Sequence, residues 1–305
     1  MFKDNEVICF LGDSLTASGF FVAECYQHIR KTRDVKCYNC GIAGGKAAYA
    51  SEYLYSYCLS RNPDTVVIMF GMNDIGFGYY SKDYTNIDRE KKKREAIEKH
   101  KECYEKIVRD CLNFGSSVII CTPLPYDEFD KDKTGENLYC QAALDECSEF
   151  VSTLAKKYSL PLADIRSLML PIIKTQPELM TQDRMHPTAL GYHAMTQMFL
   201  KEIGEIEEAD FSDPFRFEEW NHERYSVERR LKLIEFIDYV ALYEKARDNK
   251  WNTTEKKLEA RKIYDSEENK AAFLPMCCKY YIEHASERDT LLGEVVRLTA
   301  ENAKA

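Results

Sequence analysis

A serine that follows the first apolar run of the chain is a candidate nucleophile. Ser14 lies in Gly12-Asp13-Ser14-Leu15, directly after the run Val7-Ile8-Cys9-Phe10-Leu11. A strand-to-helix turn here would expose the serine hydroxyl and place its backbone N–H at a helix start, where it can stabilise an oxyanion. The same tetrapeptide is also a common turn and helix N-cap, so the residues elsewhere in the chain must decide its role.

Asp183 and His186 supply the partners that a serine nucleophile needs. They are three residues apart in Asp183-Arg184-Met185-His186-Pro187. At this spacing the carboxylate can reach one imidazole nitrogen and fix its tautomer, which leaves the other nitrogen to accept the serine proton. A metal ligand pair or a helix cap is the alternative, but no second histidine cluster lies at ligand spacing. We therefore predict a Ser14–His186–Asp183 triad, with no metal and no cofactor.

Two further residues are candidates for an oxyanion hole. Gly44 lies in a glycine-rich stretch after the second predicted strand, where a backbone N–H can closely approach a substrate. Asn73, in Gly71-Met72-Asn73-Asp74 after the third predicted strand, can donate from its side-chain amide. A plain turn at Gly44 and a cap at Asn73 are the structural alternatives. We predict that Gly44 and Asn73 join the N–H of Ser14 as the three donors.

The elements that position these residues alternate along the first two thirds of the chain. Short apolar runs, typical of buried strands, alternate with longer helical patterns. The runs are at 7–11, 35–38, 65–70, 117–121 and 162–165, and the helical patterns are near 18–31, 47–60, 88–114, 137–158 and 188–204. This order predicts βαβ units, and hence an α/β fold: a three-layer α/β/α sandwich around a five-stranded parallel sheet. Reactive groups should then gather beyond the carboxyl ends of the strands.

The last hundred residues have a different pattern. After about residue 206 no strand-like run occurs, and apolar residues such as Val227, Leu231 and Ile234 recur at helical spacing. We predict a hydrolase-type domain over 1–205 and an all-helical C-terminal appendage over 206–305. The appendage is expected to pack against the first domain or against a second copy of the chain, which would make a homo-oligomer. A lid over the active site is the alternative.

The composition of the chain limits which binding partners and which cellular compartment we expect. The formal net charge of -9 disfavours binding to nucleic acid or to an anionic membrane, and no apolar run approaches the length of a membrane span. The start of the chain lacks the features of a signal peptide, so we expect the mature protein to begin at Met1. The twelve cysteines are then expected to be reduced thiols in the cytoplasm. Cys37 and Cys40 have CxxC spacing but end a predicted strand, so we predict no redox or metal role for them.

The four motifs together resemble the sequence blocks of the SGNH/GDSL hydrolase superfamily. Gly12-Asp13-Ser14-Leu15, Gly44, Gly71-Met72-Asn73-Asp74 and Asp183-Arg184-Met185-His186-Pro187 occur in the same order as those blocks. The resemblance covers about residues 6–204 and implies a flavodoxin-like fold. It also implies that Ser14 is the nucleophile, His186 the general base and Asp183 its partner, with Gly44 and Asn73 in the oxyanion hole.

The resemblance implies a serine ester hydrolase that works through an acyl-enzyme. Members of the superfamily act on acetylated sugars, short acyl esters, lysophospholipids and thioesters, so the motifs do not determine which small-molecule ester is the substrate. Tyrosines in Ile75-Gly76-Phe77-Gly78-Tyr79-Tyr80 follow the third strand and are candidates to stack on a sugar. We predict an acyl group, such as acetyl, on a small or carbohydrate-like alcohol. A lysophospholipase or thioesterase, or a catalytically silent binding module, are the alternatives.

Overall fold

The computed structural model describes residues 1–212, which contain a five-stranded parallel sheet. The strands are β1 (Glu6–Gly12), β2 (Val35–Gly41), β3 (Thr65–Met69), β4 (Ser117–Cys121) and β5 (Leu162–Ala163). Their order across the sheet is β2-β1-β3-β4-β5, and every neighbouring pair is parallel. Because β1 lies between β2 and β3, the residues that follow these three strands share one edge of the sheet.

Helices cover both faces of the sheet, which confirms the predicted three-layer α/β/α sandwich. They are α1 (Ser14–Ala17), α2 (Phe20–Ile29), α3 (Ala47–Glu52), α4 (Leu54–Tyr57), α5 (Arg89–Phe114), α6 (Gln141–Tyr158), α7 (Ile165–Thr175) and α8 (Ala189–Glu202). Short 3-10 helices span Leu59–Arg61, Phe77–Tyr80 and Pro177–Leu179.

Three aromatic rings form the centre of the core between the sheet and the layer of α2, α7 and α8. Phe10 of β1 meets Phe21 of α2 edge to face, with ring centroids 5.4 Å apart. Phe21 meets Phe199 of α8 in the same way at 5.0 Å. All three side chains are almost completely buried, and burying a phenylalanine contributes roughly 1.5–3 kcal/mol. This packing fixes β1 and α2, and with them the turn that carries Ser14.

On the opposite face, α5 is attached to the sheet through a buried tyrosine. The hydroxyl of Tyr104 lies 2.9 Å from the carbonyl oxygen of Ile68 and 3.2 Å from that of Cys121. It therefore links the ends of β3 and β4, and its burial raises its pKa well above the usual value. Tyr104, Ile107, Val108 and Cys111 form the buried stripe of this helix at helical spacing.

Two glycines allow α1 to lie directly on the ends of β1 and β2. A Cβ at Gly12 would be 2.2 Å from Oγ1 of Thr16 and 2.8 Å from the carbonyl oxygen of Met69. A Cβ at Gly41 would be 2.2 Å from the backbone nitrogen of Ala17. Neither distance is compatible with a real side chain, so glycine is required by the close approach of the backbones.

The fifth strand is shorter than predicted and a helix follows it at once. The run 162–165 suggested one strand, but β5 ends at Ala163, and α7 had no counterpart among the predicted helices. Asp164 begins the helix, because its side chain accepts a hydrogen bond from the backbone N–H of Ser167 at 3.3 Å. Ile165, Met169 and Ile173 then point into the core at helical spacing. The Asp164 cap separates two apolar segments that the sequence pattern had joined.

The predicted helix at 18–31 is α2, and the short helix α1 before it was not predicted. The predicted helix at 47–60 is α3, α4 and the start of a 3-10 helix. The helical appendage at 206–305 lies almost entirely outside the described residues. Its boundary, its role and the homo-oligomer therefore remain predictions.

Within residues 1–212, no helix combines the length and the apolar character needed to cross a bilayer.

Candidate active site

Ser14 is the first residue of α1 and lies at the carboxyl edge of the sheet. Gly12 ends β1, and Asp13 caps the helix by accepting the backbone N–H of Leu15 at 2.9 Å. This cap leaves the half-buried Ser14 side chain free to point away from the turn. Its Oγ lies 2.8 Å from Nε2 of His186, 172 residues further along the chain.

His186 is oriented by Asp183. Nδ1 of His186 lies 2.6 Å from Oδ2 of Asp183, which can only accept a hydrogen bond when ionised. Nδ1 therefore carries the proton of the neutral ring, and Nε2 is the acceptor that faces the Ser14 hydroxyl. The structure thus brings the three residues of the predicted triad into one hydrogen-bonded chain.

The Asp183 carboxylate is held in place by its own loop. Partial burial opposes its ionisation, but hydrogen bonds from the backbone and ring of His186 outweigh that effect. The hydroxyl of Thr181 and the backbone N–H of Met185 donate to Oδ1 at 2.7 and 2.9 Å. Together these contacts lower the pKa of Asp183 to about 2, so it is ionised at neutral pH.

Arg184, between these two residues, braces the loop. Its φ of 67° is left-handed, a conformation that non-glycine residues adopt only where the surroundings hold them. Its buried guanidinium donates to four backbone carbonyls in the segment 127–135, at distances from 2.5 to 3.1 Å. The same segment is closed by a buried ion pair of 2.5 Å between Lys133 and Asp127. The sequence pattern does not predict this brace, since nothing in it links Arg184 to residues about 50 positions away.

Gly44 and Asn73 lie at the same edge of the sheet as Ser14. Gly12 pairs with both Gly41 and Met69, so Gly44 and Asn73 follow the two strands that flank β1. Gly44 has a φ of 68°, which favours glycine at this turn. Asn73 is almost fully buried, and its side-chain nitrogen has no hydrogen-bond partner among the described residues. A buried donor without a partner is costly, so a ligand atom is a natural acceptor for it.

Asp13 sits beneath the serine turn as a buried acid. Burial is the largest influence on this group, and the negative charge of Asp74 acts in the same direction. The hydrogen bond from Leu15 opposes them only in part, so the pKa of Asp13 rises to about 7. The carboxyl therefore changes charge near neutral pH at a position adjacent to the candidate nucleophile. Its contact with Leu15 N–H fits the role of a brace for the turn.

The aromatic segment after Asn73 lies at the surface of the domain. Phe77 is 37% exposed, and the rings of Tyr79 and Tyr84 meet edge to face at 5.2 Å. Tyr80 is covered on one side by the ammonium of Lys93, 4.5 Å from the ring centroid. These rings belong to the segment that follows Asn73 along the chain.

Cys37 and Cys40 both lie within β2 rather than in a helix-opening CxxC motif. Cys40 instead clusters with Cys9 and Cys58, and the three sulfur atoms lie within 4.8 Å of one another in the core. Hydrogen bonding to Cys40 raises the pKa of both Cys9 and Cys58, so the free thiols stay protonated. The cluster offers three soft ligands where a structural zinc site takes four.

Several known proteins are similar to this chain in sequence or in fold. The acetylxylan esterase of Geobacillus stearothermophilus is 21% identical over 219 residues, which are 66% of this chain and 94% of that esterase. Its solved structure superposes with a TM-score of 0.56 and covers 66% of this chain and 95% of the esterase. An α/β hydrolase enzyme from the metagenome of Lake Arreo, Spain, gives a TM-score of 0.55 at 18% identity, covering 67% of this chain and 97% of that one.

A gut microbial diltiazem-metabolizing enzyme gives a TM-score of 0.61 at 21% identity. The match covers 67% of this chain and 48% of that enzyme, so this chain spans about half of its length. At these identities the superpositions establish the fold. The family is established by a sequence profile of the GDSL-like lipase/acylhydrolase family, which matches residues 10–194.

The chain belongs to the GDSL-like lipase/acylhydrolase family. This match confirms the resemblance to the SGNH/GDSL hydrolase superfamily that the four motifs predicted. It also supports the predicted class of enzyme, a carboxylic ester hydrolase.

Proposed function

We propose that Ser14, His186 and Asp183 are the catalytic triad of an esterase that acts through an acyl-enzyme. The observation that carries the proposal is the pair of contacts at His186: 2.8 Å from Nε2 to Oγ of Ser14 and 2.6 Å from Nδ1 to Asp183. A relative supports it. Solved variants of the Geobacillus esterase described as catalytic alter one serine, one aspartate and one histidine, with the aspartate three residues before the histidine.

The proposed reaction has two halves. Oγ of Ser14 attacks the ester carbonyl carbon while Nε2 of His186 accepts the hydroxyl proton. The tetrahedral intermediate then collapses, the bond to the alcohol breaks, and His186 returns the proton to the leaving alcohol. Water attacks the acyl-enzyme in the second half, gives its proton to His186, and releases the carboxylic acid as Ser14 is reprotonated. Asp183 stays ionised throughout and stabilises the imidazolium.

Three donors are proposed to hold the oxyanion: the backbone N–H groups of Ser14 and Gly44 and the side-chain amide of Asn73. The buried, unpartnered nitrogen of Asn73 supports its part in this set, since it has no competing acceptor in the described chain. Such donors act strongly because they are already oriented before charge develops on the carbonyl oxygen.

Replacing Asn73 by alanine is expected to lower kcat by about 10²- to 10³-fold with little change in KM, because the lost donor acts mainly in the transition state. Steady-state kinetics on an acetyl ester measures both constants. Asn86→Ala removes an exposed asparagine before α5 and serves as the matched control, with kinetics close to wild type. A rise in KM at unchanged kcat for Asn73→Ala would assign Asn73 to substrate binding instead.

The proposed substrate is an acetyl ester of a carbohydrate-like alcohol. The acetylxylan esterase relative supports the acetyl group and the sugar, and the surface rings around Tyr79 offer apolar faces for a sugar to stack on. His186 and Asp183 are 35% and 53% exposed in their side chains, so the candidate triad can be reached by an ester on a bulky alcohol.

The substrate class is tested by ranking esters. We expect kcat/KM on acetylated xylo-oligosaccharide to exceed that on a long-chain lysophospholipid by about tenfold or more, because a single methylene in a pocket can already change kcat/KM by roughly 10- to 200-fold. Acid release measured under identical conditions gives the comparison. The reverse ranking would replace the acetylesterase proposal by the lysophospholipase alternative.

A further inference from the structure

A buried aspartate–histidine pair lies behind the proposed oxyanion hole and has no part in the triad. Asp74 follows Asn73 at the carboxyl end of β3, and His100 lies on α5. Nδ1 of His100 is 3.3 Å from Oδ1 of Asp74, and their side chains are 0% and 2% exposed. The contact is ionic rather than a well-aligned hydrogen bond, since His100 Nδ1 meets no hydrogen-bond geometry among the described residues.

Asp74 replaces a helix cap that α3 lacks. The N-cap position of α3 is Lys46, whose side chain accepts no hydrogen bond from the helix. Oδ1 of Asp74 instead accepts the backbone N–H of Ala47, the first residue of α3, at 2.7 Å. A capping contact of this kind stabilises the start of a helix. The same carboxylate thus fixes the start of α3, which comes directly after the turn that carries Gly44.

His100 supplies the charge that a buried carboxylate needs. Burial opposes protonation of His100, but Asp74 outweighs it, and the Cys147 thiol acts in the same direction, so the pKa of His100 rises to about 10. His100 is therefore cationic at neutral pH and balances Asp74 in a place without solvent. The rings of Tyr104 and Phe150 meet the imidazole edge to face, with centroids 5.4 and 6.4 Å from its own.

We infer that His100 is a positioning residue for the proposed oxyanion hole. Through Asp74 it acts on both donors that lie outside the serine turn: Asn73 is the neighbouring residue on the chain, and the Gly44 turn is anchored through Ala47. The inference rests on the proposed function, because it assigns Gly44 and Asn73 to the oxyanion. A displacement of about 1 Å at a reacting group can cost about 10²-fold in rate, so a loosened anchor should show in kcat.

The test compares two variants of His100. His100→Leu removes the charge that faces Asp74, and kcat on an acetyl ester is expected to fall about 10- to 100-fold while KM changes by less than about threefold. His100→Asn places an amide donor near the position of Nδ1 and should recover part of that loss. In an Asp74→Asn background the effect of His100→Leu should shrink, because the partner charge is already absent.

A second buried histidine–carboxylate pair provides the matched control. Nδ1 of His193 on α8 lies 2.8 Å from Oε1 of Glu24 on α2, in the helix layer on the other face of the sheet from α5. His193→Leu should lower Tm as His100→Leu does but leave kcat within about twofold of wild type. If both variants lower Tm and neither changes kcat, His100 is only structural and the inference is wrong while the proposed function stands.

Failure of the proposed function has a different signature. If wild type and Ser14→Ala hydrolyse the ester equally, the esterase proposal falls, and the anchor is then read from amide hydrogen exchange at Ala47. We expect faster exchange at Ala47 in His100→Leu than in wild type or His193→Leu. Equal protection in all three proteins would overturn the role of His100 regardless of activity.

Discussion

Ser14→Ala is expected to lower kcat/KM for an acetyl ester by about 10⁴-fold or more, because within residues 1–212 Ser14 has the only hydroxyl hydrogen-bonded to Nε2 of His186. Residual turnover would come from the oxyanion donors and from substrate binding alone. The measurement is release of nitrophenol from p-nitrophenyl acetate, corrected for the rate in buffer. Mass spectrometry after a fluorophosphonate probe should place the adduct on Ser14 in the wild type.

Ser18→Ala is the matched control for this variant. Ser18 lies four residues further on, at the end of α1, and its hydroxyl donates to the carbonyl of Leu15 at 2.8 Å. It makes no contact with His186 among the hydrogen bonds of residues 1–212, so its loss should leave turnover near wild type. Equal rates for wild type and Ser14→Ala would instead favour the catalytically silent binding module.

Asp183→Asn is expected to lower kcat by roughly 10³- to 10⁴-fold while the loop keeps its shape. The amide can offer its N–H to Nδ1 of His186, which would favour the tautomer protonated at Nε2 and leave Ser14 without a base. The equivalent change in chymotrypsin-type proteases costs about 10⁴-fold for this reason. Kinetics at saturating substrate measure the effect.

Asp183→Asn is also expected to change how the free energy of unfolding depends on pH in acid. Asp183 has a native pKa of about 2, below the value of 3.8 for the unfolded chain, so it stabilises the native state above pH 4 and loses this contribution as the pH falls toward 2. The variant should show a shallower decline in the free energy of unfolding over that interval. Asp132→Asn, at an exposed loop position, is the control and should keep both the wild-type kinetics and the wild-type acid profile. A large kinetic loss in the control would contradict the assignment to Asp183.

The sheet and the position of the candidate site could be predicted from the sequence. Both depend on the apolar periodicity of each segment and on the order of the segments along the chain. Strand β4 was predicted at its observed bounds, and Ser14, Asn73 and His186 each follow or precede an element that its apolar periodicity marks. The serine–histidine contact was inferred from chemistry rather than pattern: a nucleophile needs a base, and only Asp183-Arg184-Met185-His186 offered a base already paired with a carboxylate.

The supports of the site were not predictable, since they depend on how distant elements meet. The four carbonyls around Arg184 and the Asp74–His100 pair join segments that only the tertiary packing brings together. One signal was available for the second of these. His100 lies in the buried stripe of α5 between Ile97 and Tyr104, and a histidine among apolar positions requires a buried partner.

Gly12 and Gly41, which carry no Cβ, limit the mutations that this chain can tolerate. Any side chain at either position would overlap backbone or neighbouring atoms of α1 and push the serine turn off the sheet. In a saturation library screened for hydrolysis, both positions would accept glycine alone and score as strictly as Ser14. Neither residue need touch the ester. At these two positions, intolerance to substitution would reflect how closely two backbone segments approach each other. Such a screen would therefore identify the residues that position the nucleophile together with the nucleophile itself.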